Sequence, residues 1–391
     1  MTVLSLGNKI RQRPPRLCGR GEPAIVIGSV GTSADSDGFD AELDKVRAAV
    51  DAGADAVTDH SFFGDLGAFQ KVLCREVDCL VSTVSSYEFA ARYKKRDWPD
   101  LDPHVVVDIF EDQVKRGLDM ITVHADFRRE NLVDLSKGER IIPMTAKGAG
   151  ILASYMRVTG KENPYFLYFD EICQIAAEYN ATISTASSFR TGSVADSWDS
   201  LLAAHLDVVE ILASRAARFG APLMVEGLGH VPIDAIPTHI ALTNIRSQGA
   251  PYRMLPMATD RALGYDHISG AIATAVGVAA GASVVTAMSR AEHVGLPSID
   301  DVVEAVIAAR IAVESGQLVQ IRDFDLERRM SEARWRNGCK GDWRCAIYPD
   351  GARDALLEHG ELDSLLIQCS MCGNYCGLTS ALASARSTQE L

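Results

Sequence analysis

Three cysteines, Cys369, Cys372 and Cys376, fall close together near the end of the chain, in the run QCSMCGNYCGLTS. Thiolates at this spacing can wrap one inorganic centre, because Gly373 and Gly377 let the backbone curl around it. An iron–sulfur cube held by only three cysteines leaves its fourth iron without a protein ligand, and a substrate or cofactor can coordinate there. Two plainer arrangements use the same residues: a zinc knot completed by a histidine elsewhere, or unligated surface thiols.

Two histidines form a second constellation. His230 lies in VEGLGHVP and His293 in SRAEHVGLP, each just after a run that reads as a strand. Facing one another, they could hold zinc or ferrous iron with a carboxylate such as Glu226 and leave positions open for water or substrate. Lys147, in the glycine-rich AKGAG, and Arg190 are anion handles, Lys147 in a turn where backbone N–H groups could approach a phosphate. His267 reads as structural at a helix start. Cys18, Cys74, Cys79 and Cys173 have no partners at ligand spacing and read as inert, and Cys339 and Cys345 as free thiols.

Positioning these groups is the task of a repeating strand–helix rhythm that starts near residue 24. Eight short runs rich in Val, Ile and Leu read as strands near 24–29, 54–59, 79–84, 120–124, 181–185, 222–226, 252–255 and 283–287. Amphipathic stretches between them read as helices, which makes the fold an α/β TIM (β/α)8 barrel. Active sites of such barrels lie at the carboxyl ends of the strands. There the sequence puts Ser29, Thr58, Asp59, His60, Tyr87, His124, Ser187, Ser188, Arg190, Glu226 and Asp260. Serine, aspartate and tyrosine also serve as helix caps and strand-end donors, so their types alone do not separate chemistry from structure.

The expected organisation is an N-terminal arm over 1–20, a barrel over 21–315, and a helical C-terminal region over 316–391 carrying the cysteine tail 369–376. An insertion over about 126–159 contains a ninth apolar run, Arg140–Met144, and the glycine-rich turn. The one long uncharged stretch, Ile268 to Ser289, is mostly alanine, glycine and valine, and reads as a buried helix and strand rather than a membrane span.

With 391 residues, 39 basic and 52 acidic side chains and a net charge of −13, the chain has no basic block of the kind that binds nucleic acid. Nine unevenly spaced cysteines argue against a secreted disulfide framework, and the first residues lack the apolar segment of a secretory signal, so a cytoplasmic protein is expected.

VHA at His124, VEGLGHVP, ATDRALGYDHISGAIA, SRAEHVGLP and the closing CSMCG together, in this order, resemble the phosphomethylpyrimidine synthase family, which makes the thiamine pyrimidine. The resemblance implies a [4Fe–4S] cluster on Cys369, Cys372 and Cys376 that binds S-adenosylmethionine and cleaves it to a radical. It implies a second metal, zinc or iron, on His230 and His293. It also implies a small-molecule substrate, aminoimidazole ribotide, with Glu226 and Arg190 as catalytic groups. Ser29, Thr58, Tyr87, His124, Lys147, Gly148, Ser187, Arg190, Glu226 and Tyr252 would contact that substrate. A reductant such as flavodoxin or ferredoxin is implied, as is a homodimer in which the tail of one subunit covers its neighbour's barrel.

Departures from the family pattern are part of the same reading. The family's cysteine spacing is two then four residues, and here it is two then three. Ala146–Lys147–Gly148 stands for Ser-Arg-Gly, Ser187–Arg190 for Asp-Gly-Leu-Arg, Ser29 for asparagine, Thr58 for methionine and Leu228 for proline. The separate N-terminal domain of the thiamine enzymes is expected to be absent, as in hydroxybenzimidazole synthases. A paralogue with a different product is therefore one reading. A zinc-dependent hydrolase or lyase using Glu226, His230 and His293 beside a structural cysteine site is another, and a non-catalytic binding protein a third.

Overall fold

The computed structural model describes residues 2–35, 38–136, 138, 140–196, 198–338, 340–362 and 369–381. Its chain divides into two units, Met1–Gln320 and Ile321–Leu391. In the first, eight parallel strands close into a barrel: β3 Ile25–Val30, β4 Ala56–Asp59, β5 Leu80–Val84, β6 Met120–Val123, β7 Thr182–Thr185, β8 Leu223–Gly227, β9 Tyr252–Met254 and β10 Val284–Thr286, with β10 returning to β3. Every expected strand is present, within a residue or two at each end.

Strand alternation sorts the side chains into three groups. Val26, Val57, Val81, Ile121, Ile183 and Val285 point outward and pack in the large core against the helices. Ile25, Ile27, Ala56, Leu80, Met120, Met224 and Val284 point inward as an apolar layer at the amino end. Above them the inward positions turn polar: Thr58, Ser82, Thr122, Ser184, Glu226, Arg253 and Thr286, all buried. Layered filling of this kind makes the barrel interior a packed core rather than a pore.

Residues expected as an N-terminal arm instead form a hairpin, β1 Leu4–Leu6 paired antiparallel with β2 Arg16–Cys18. Leu6 and Cys18 complete the apolar layer at the amino end. Asn8, buried, donates its backbone N–H to Asp119 Oδ1 at 2.8 Å and its side-chain amide to the carbonyls of Val114 and Leu118 at 2.8 and 2.9 Å. Arg11 pairs with Asp119 and donates to the carbonyls of Cys79 and Val77, each at 2.8 Å. Arg11, within the expected arm, thus satisfies two carbonyls and a carboxylate beside the strand starts.

The segment expected as an insertion with a glycine-rich turn holds a short helix, Asn131–Ser136, and a longer one, Lys147–Thr159. Lys147 opens that longer helix instead of lying in a loop, and Arg140–Met144 forms no strand. The uncharged stretch is the helix Asp266–Ala280 followed by β10, and no helix of the described residues is long and apolar enough to cross a membrane. In the second unit lie the helices Asp325–Asn337 and Pro349–Glu358, then the cysteine segment.

Candidate active site

A cavity of about 650 Å³ opens at the carboxyl end of the barrel. Ser29, His60, Tyr87, Arg190, His230, Asp260 and His293 line it, with Lys147 from the segment expected as an insertion and with Phe62 and Glu292, which sequence analysis did not name.

His230 and His293 meet edge to face, with ring centroids 5.2 Å apart. His230 Nδ1 hydrogen-bonds to Asp260 Oδ1 at 2.7 Å, whereas His293 Nδ1 lies 3.2 Å from Asp266 Oδ2 without forming a hydrogen bond to it. At His230 the carboxylate keeps the proton on Nδ1 and frees Nε2 as a donor atom, the usual support of a metal-binding imidazole. Asp260 is itself fixed by the Ser193 hydroxyl at 3.1 Å and the Val194 N–H at 2.9 Å. Burial alone would raise its carboxyl, but these bonds and that from His230 outweigh it and hold it below the usual range. Sequence motifs had pointed to both histidines. The orienting role of Asp260 needed the fold.

Glu226 does not join this pair. Its Oε1 lies 3.1 Å from Arg253 Nη1 and accepts from Thr122 Oγ1 at 2.9 Å and Ser184 Oγ at 3.1 Å. It belongs to the polar layer inside the barrel, so the histidines lack the third ligand expected from it. Among the described residues no group of three or more His, Cys, Asp or Glu side chains is disposed to hold a metal ion. Arg253, 1% exposed, escaped sequence analysis because a cation in a strand only three residues long gives no sign that it points inward. It also reaches Thr286 Oγ1 at 3.2 Å and Thr58 Oγ1 at 3.5 Å, which places Thr58 within this layer.

Tyr252 is another correction. Fully buried, it packs in the core among the helices, because β9 points Arg253 inward and Tyr252 outward. It lies outside the cavity. His124 is buried, with Nδ1 3.2 Å from Ser86 Oγ, and burial pushes its pKa down to about 4. Gly148 packs directly on this pair: a Cβ there would come within 2.2 Å of His124 Cε1 and 2.3 Å of Ser86 Oγ. Its missing side chain lets the helix Lys147–Thr159 approach the barrel. Ser187 is buried with no hydrogen-bond partner for its hydroxyl among the described residues, while its carbonyl accepts from Arg190 Nη1 at 3.3 Å. The neighbouring Ser188 donates through N and Oγ to Asp126, each at 2.6 Å, and Asp126 also meets His205 Nδ1 at 2.9 Å.

Lys147 and Arg190 reach the cavity without a carboxylate at ion-pair distance among the described residues. Their charges show at His60, which burial, aided by Arg253, Lys147 and Arg190, holds neutral with a pKa of about 3. Burial likewise pushes Tyr87 up to about 12.

In the second unit, Cys369, Cys372 and Cys376 are spaced by tight turns: the Gly373 N–H donates to the Cys369 carbonyl at 3.1 Å and the Cys376 N–H to the Gly373 carbonyl at 3.2 Å. Gly373 takes φ 49°, the left-handed conformation that glycine allows without penalty. Cys372 is exposed, Cys369 half-buried and Cys376 buried. In number and chemistry three thiols are the donor set of a cluster with one open iron, although their side chains are not gathered about one centre here. Cys345 is half-buried, and Cys339 lies outside the described residues.

Comparison with known proteins agrees with the order of the motifs. The model of the Radical SAM ThiC family matches residues 2–382. Phosphomethylpyrimidine synthase of Carboxydothermus hydrogenoformans is 35% identical over 93% of this chain and 86% of its own length. An enzyme of that name from Thermus thermophilus is 35% identical over 95% and 86%, and that from Pyrococcus furiosus 34% over 93% and 85%. The chain therefore belongs to the Radical SAM ThiC family and is a radical S-adenosylmethionine enzyme.

Proposed function

We propose that this protein is a lyase that rearranges an imidazole ribonucleotide, aminoimidazole ribotide or a close analogue, in its barrel cavity. The observation that carries the reading is the cavity's pair of cations, Lys147 and Arg190, which have no carboxylate at ion-pair distance among the described residues, although Glu292 shares the cavity and feels both charges, and which suit an anionic phosphate. Lys147 keeps a charge where the family has arginine, but as a point charge without the planar fork, so its contact with phosphate is single rather than bidentate.

Cys369, Cys372 and Cys376 would hold the [4Fe–4S] cluster, and His230 and His293 a zinc or iron ion through Nε2. When bound, the cluster supplies the electron that cleaves S-adenosylmethionine to a carbon radical. The chain's own part is placement. Tyr87 and Ser29 line the substrate's space and Arg190 and Lys147 hold its anionic end, while the paired Glu226 and Arg253 lie in the polar layer inside the barrel and are not among the residues lining the cavity. A reductant such as flavodoxin or ferredoxin would deliver the electron, and the working unit would be a homodimer.

Anaerobically reconstituted protein should contain about four irons per chain and release 5′-deoxyadenosine when the ribotide is present. Protein that stays colourless and iron-free after reconstitution would refute this reading. A second reading, a paralogue with another product, is favoured by Leu228, whose φ of 41° no proline can adopt where the family has one. Mass spectrometry of the products separates the two, since formation of hydroxymethylpyrimidine phosphate at ordinary rates would eliminate the paralogue.

A further inference from the structure

Phe62 stands three residues beyond the end of β4, and its ring faces the cavity. It stacks on Tyr87 with centroids 4.1 Å apart and planes 27° from parallel. His60 flanks Tyr87 at 5.9 Å, and Lys147 Nζ lies 5.8 Å from the Phe62 centroid, within cation–π reach. Two aromatic rings and an imidazole thus form one wall beside an ammonium with no carboxylate partner among the described residues.

Backbone bonds pin this wall. The Phe62 N–H donates to the Thr32 carbonyl at 3.0 Å, the Thr32 N–H to Ser61 Oγ at 3.0 Å, and the Thr32 hydroxyl to the Phe63 carbonyl at 2.6 Å. Ser61 in turn donates its N–H to Asp59 Oδ1 at 2.9 Å, and Gln70 holds the other Asp59 oxygen at 3.1 Å. Five hydrogen bonds around one short loop fix where the ring points before any ligand arrives, which lowers the ordering cost of stacking against it. Phe63, next in sequence, is 60% exposed, so the loop aims only one of its two phenylalanines at the cavity. His60 stays uncharged at neutral pH and adds no repulsion toward a basic heterocycle.

We infer that Phe62, backed by Tyr87, is the platform on which the substrate's planar heterocycle lies, and that it determines which ring the cavity accepts while the neighbouring cations hold the anionic end. This rests on the ribonucleotide reading above and assigns a specificity role to a residue outside its motifs.

The test compares two probes on the reconstituted enzyme by anaerobic calorimetry: 5-aminoimidazole ribonucleoside 5′-phosphate, and ribose 5-phosphate, which lacks the ring. Wild type should bind the ribotide more tightly. Phe62→Leu, which keeps apolar volume but removes the π face, should weaken the ribotide by roughly 5- to 150-fold, the span of one base–aromatic stack, and leave ribose 5-phosphate unchanged. Phe62→Tyr should restore the preference, and matching thermal midpoints should show that all variants fold. Phe62→Leu that keeps the wild-type preference, or weakens both probes equally, would overturn the platform while the nucleotide reading stands. Wild type that binds neither probe would overturn the nucleotide reading and the platform with it.

Discussion

At the scale of single residues, the site depends on atoms that hold the chemistry-bearing groups as much as on those groups. Asp260 fixes His230 through a 2.7 Å contact, so Asp260→Asn, which keeps shape and removes charge, should weaken the metal binding proposed for the histidine pair by roughly 10- to 100-fold. Competition against a chelating indicator measures this, and an unchanged affinity would remove Asp260 from the site. Gly148 gives a different kind of test. Any side chain there strikes His124 and Ser86, so Gly148→Ala should cost about 1–3 kcal/mol of stability, read from denaturant unfolding. Leu228 sits two residues before His230 with φ 41°. Restoring the family's proline would force φ to about −65°. Leu228→Pro should therefore displace His230 and lose metal, visible in metal content after dialysis; full retention would mean that the turn tolerates both conformations.

At the scale of elements, the hairpin β1–β2 is the part whose role only the fold discloses. Leu6 is fully buried at the foot of the barrel, so Leu6→Ala should cost about 2–5 kcal/mol, far more than truncating a residue of a free arm. An unfolding midpoint within error of wild type would contradict the plug. The barrel itself was legible because each βα unit repeats the same rhythm, and all eight strands were expected near their observed places. The hairpin was not, since β1 and β2 have three residues each and the segment joining them is anchored on residues a hundred positions away, as Asn8 is on Val114 and Asp119. Lys147–Gly148 misled for a related reason. Glycines usually signal a turn, but here Gly148 serves close packing at the start of a helix. Cavity residues announced by motif, such as His230 and His293, were found. Arg253 and Phe62 belong to no motif, and only the closed barrel shows what they face.

At the scale of the whole molecule, burial sets how the chain responds to solution conditions. Burial pushes the thiols of Cys18, Cys74, Cys79 and Cys173 up to about 12, while Cys372 is exposed. Brief treatment of the native, cluster-free protein with iodoacetamide near neutral pH should label Cys372 and leave those four unmodified in peptide mass maps. Acid should act through the buried imidazoles. His124 titrates at about 4 folded against 6.5 as a free side chain, so below 6.5 the unfolded chain takes up the proton first. Its contribution is complete above pH 6.5 and fades as pH falls toward 4. The loss of stability between about pH 7 and 4.5 should be smaller in His124→Gln, and equal losses would show that His124 stays solvated. The packed layers inside the barrel, with the hairpin beneath them, finally, make the cavity at the carboxyl end a blind well. A molecule lying at the bottom of such a well can leave only past whatever lies above it.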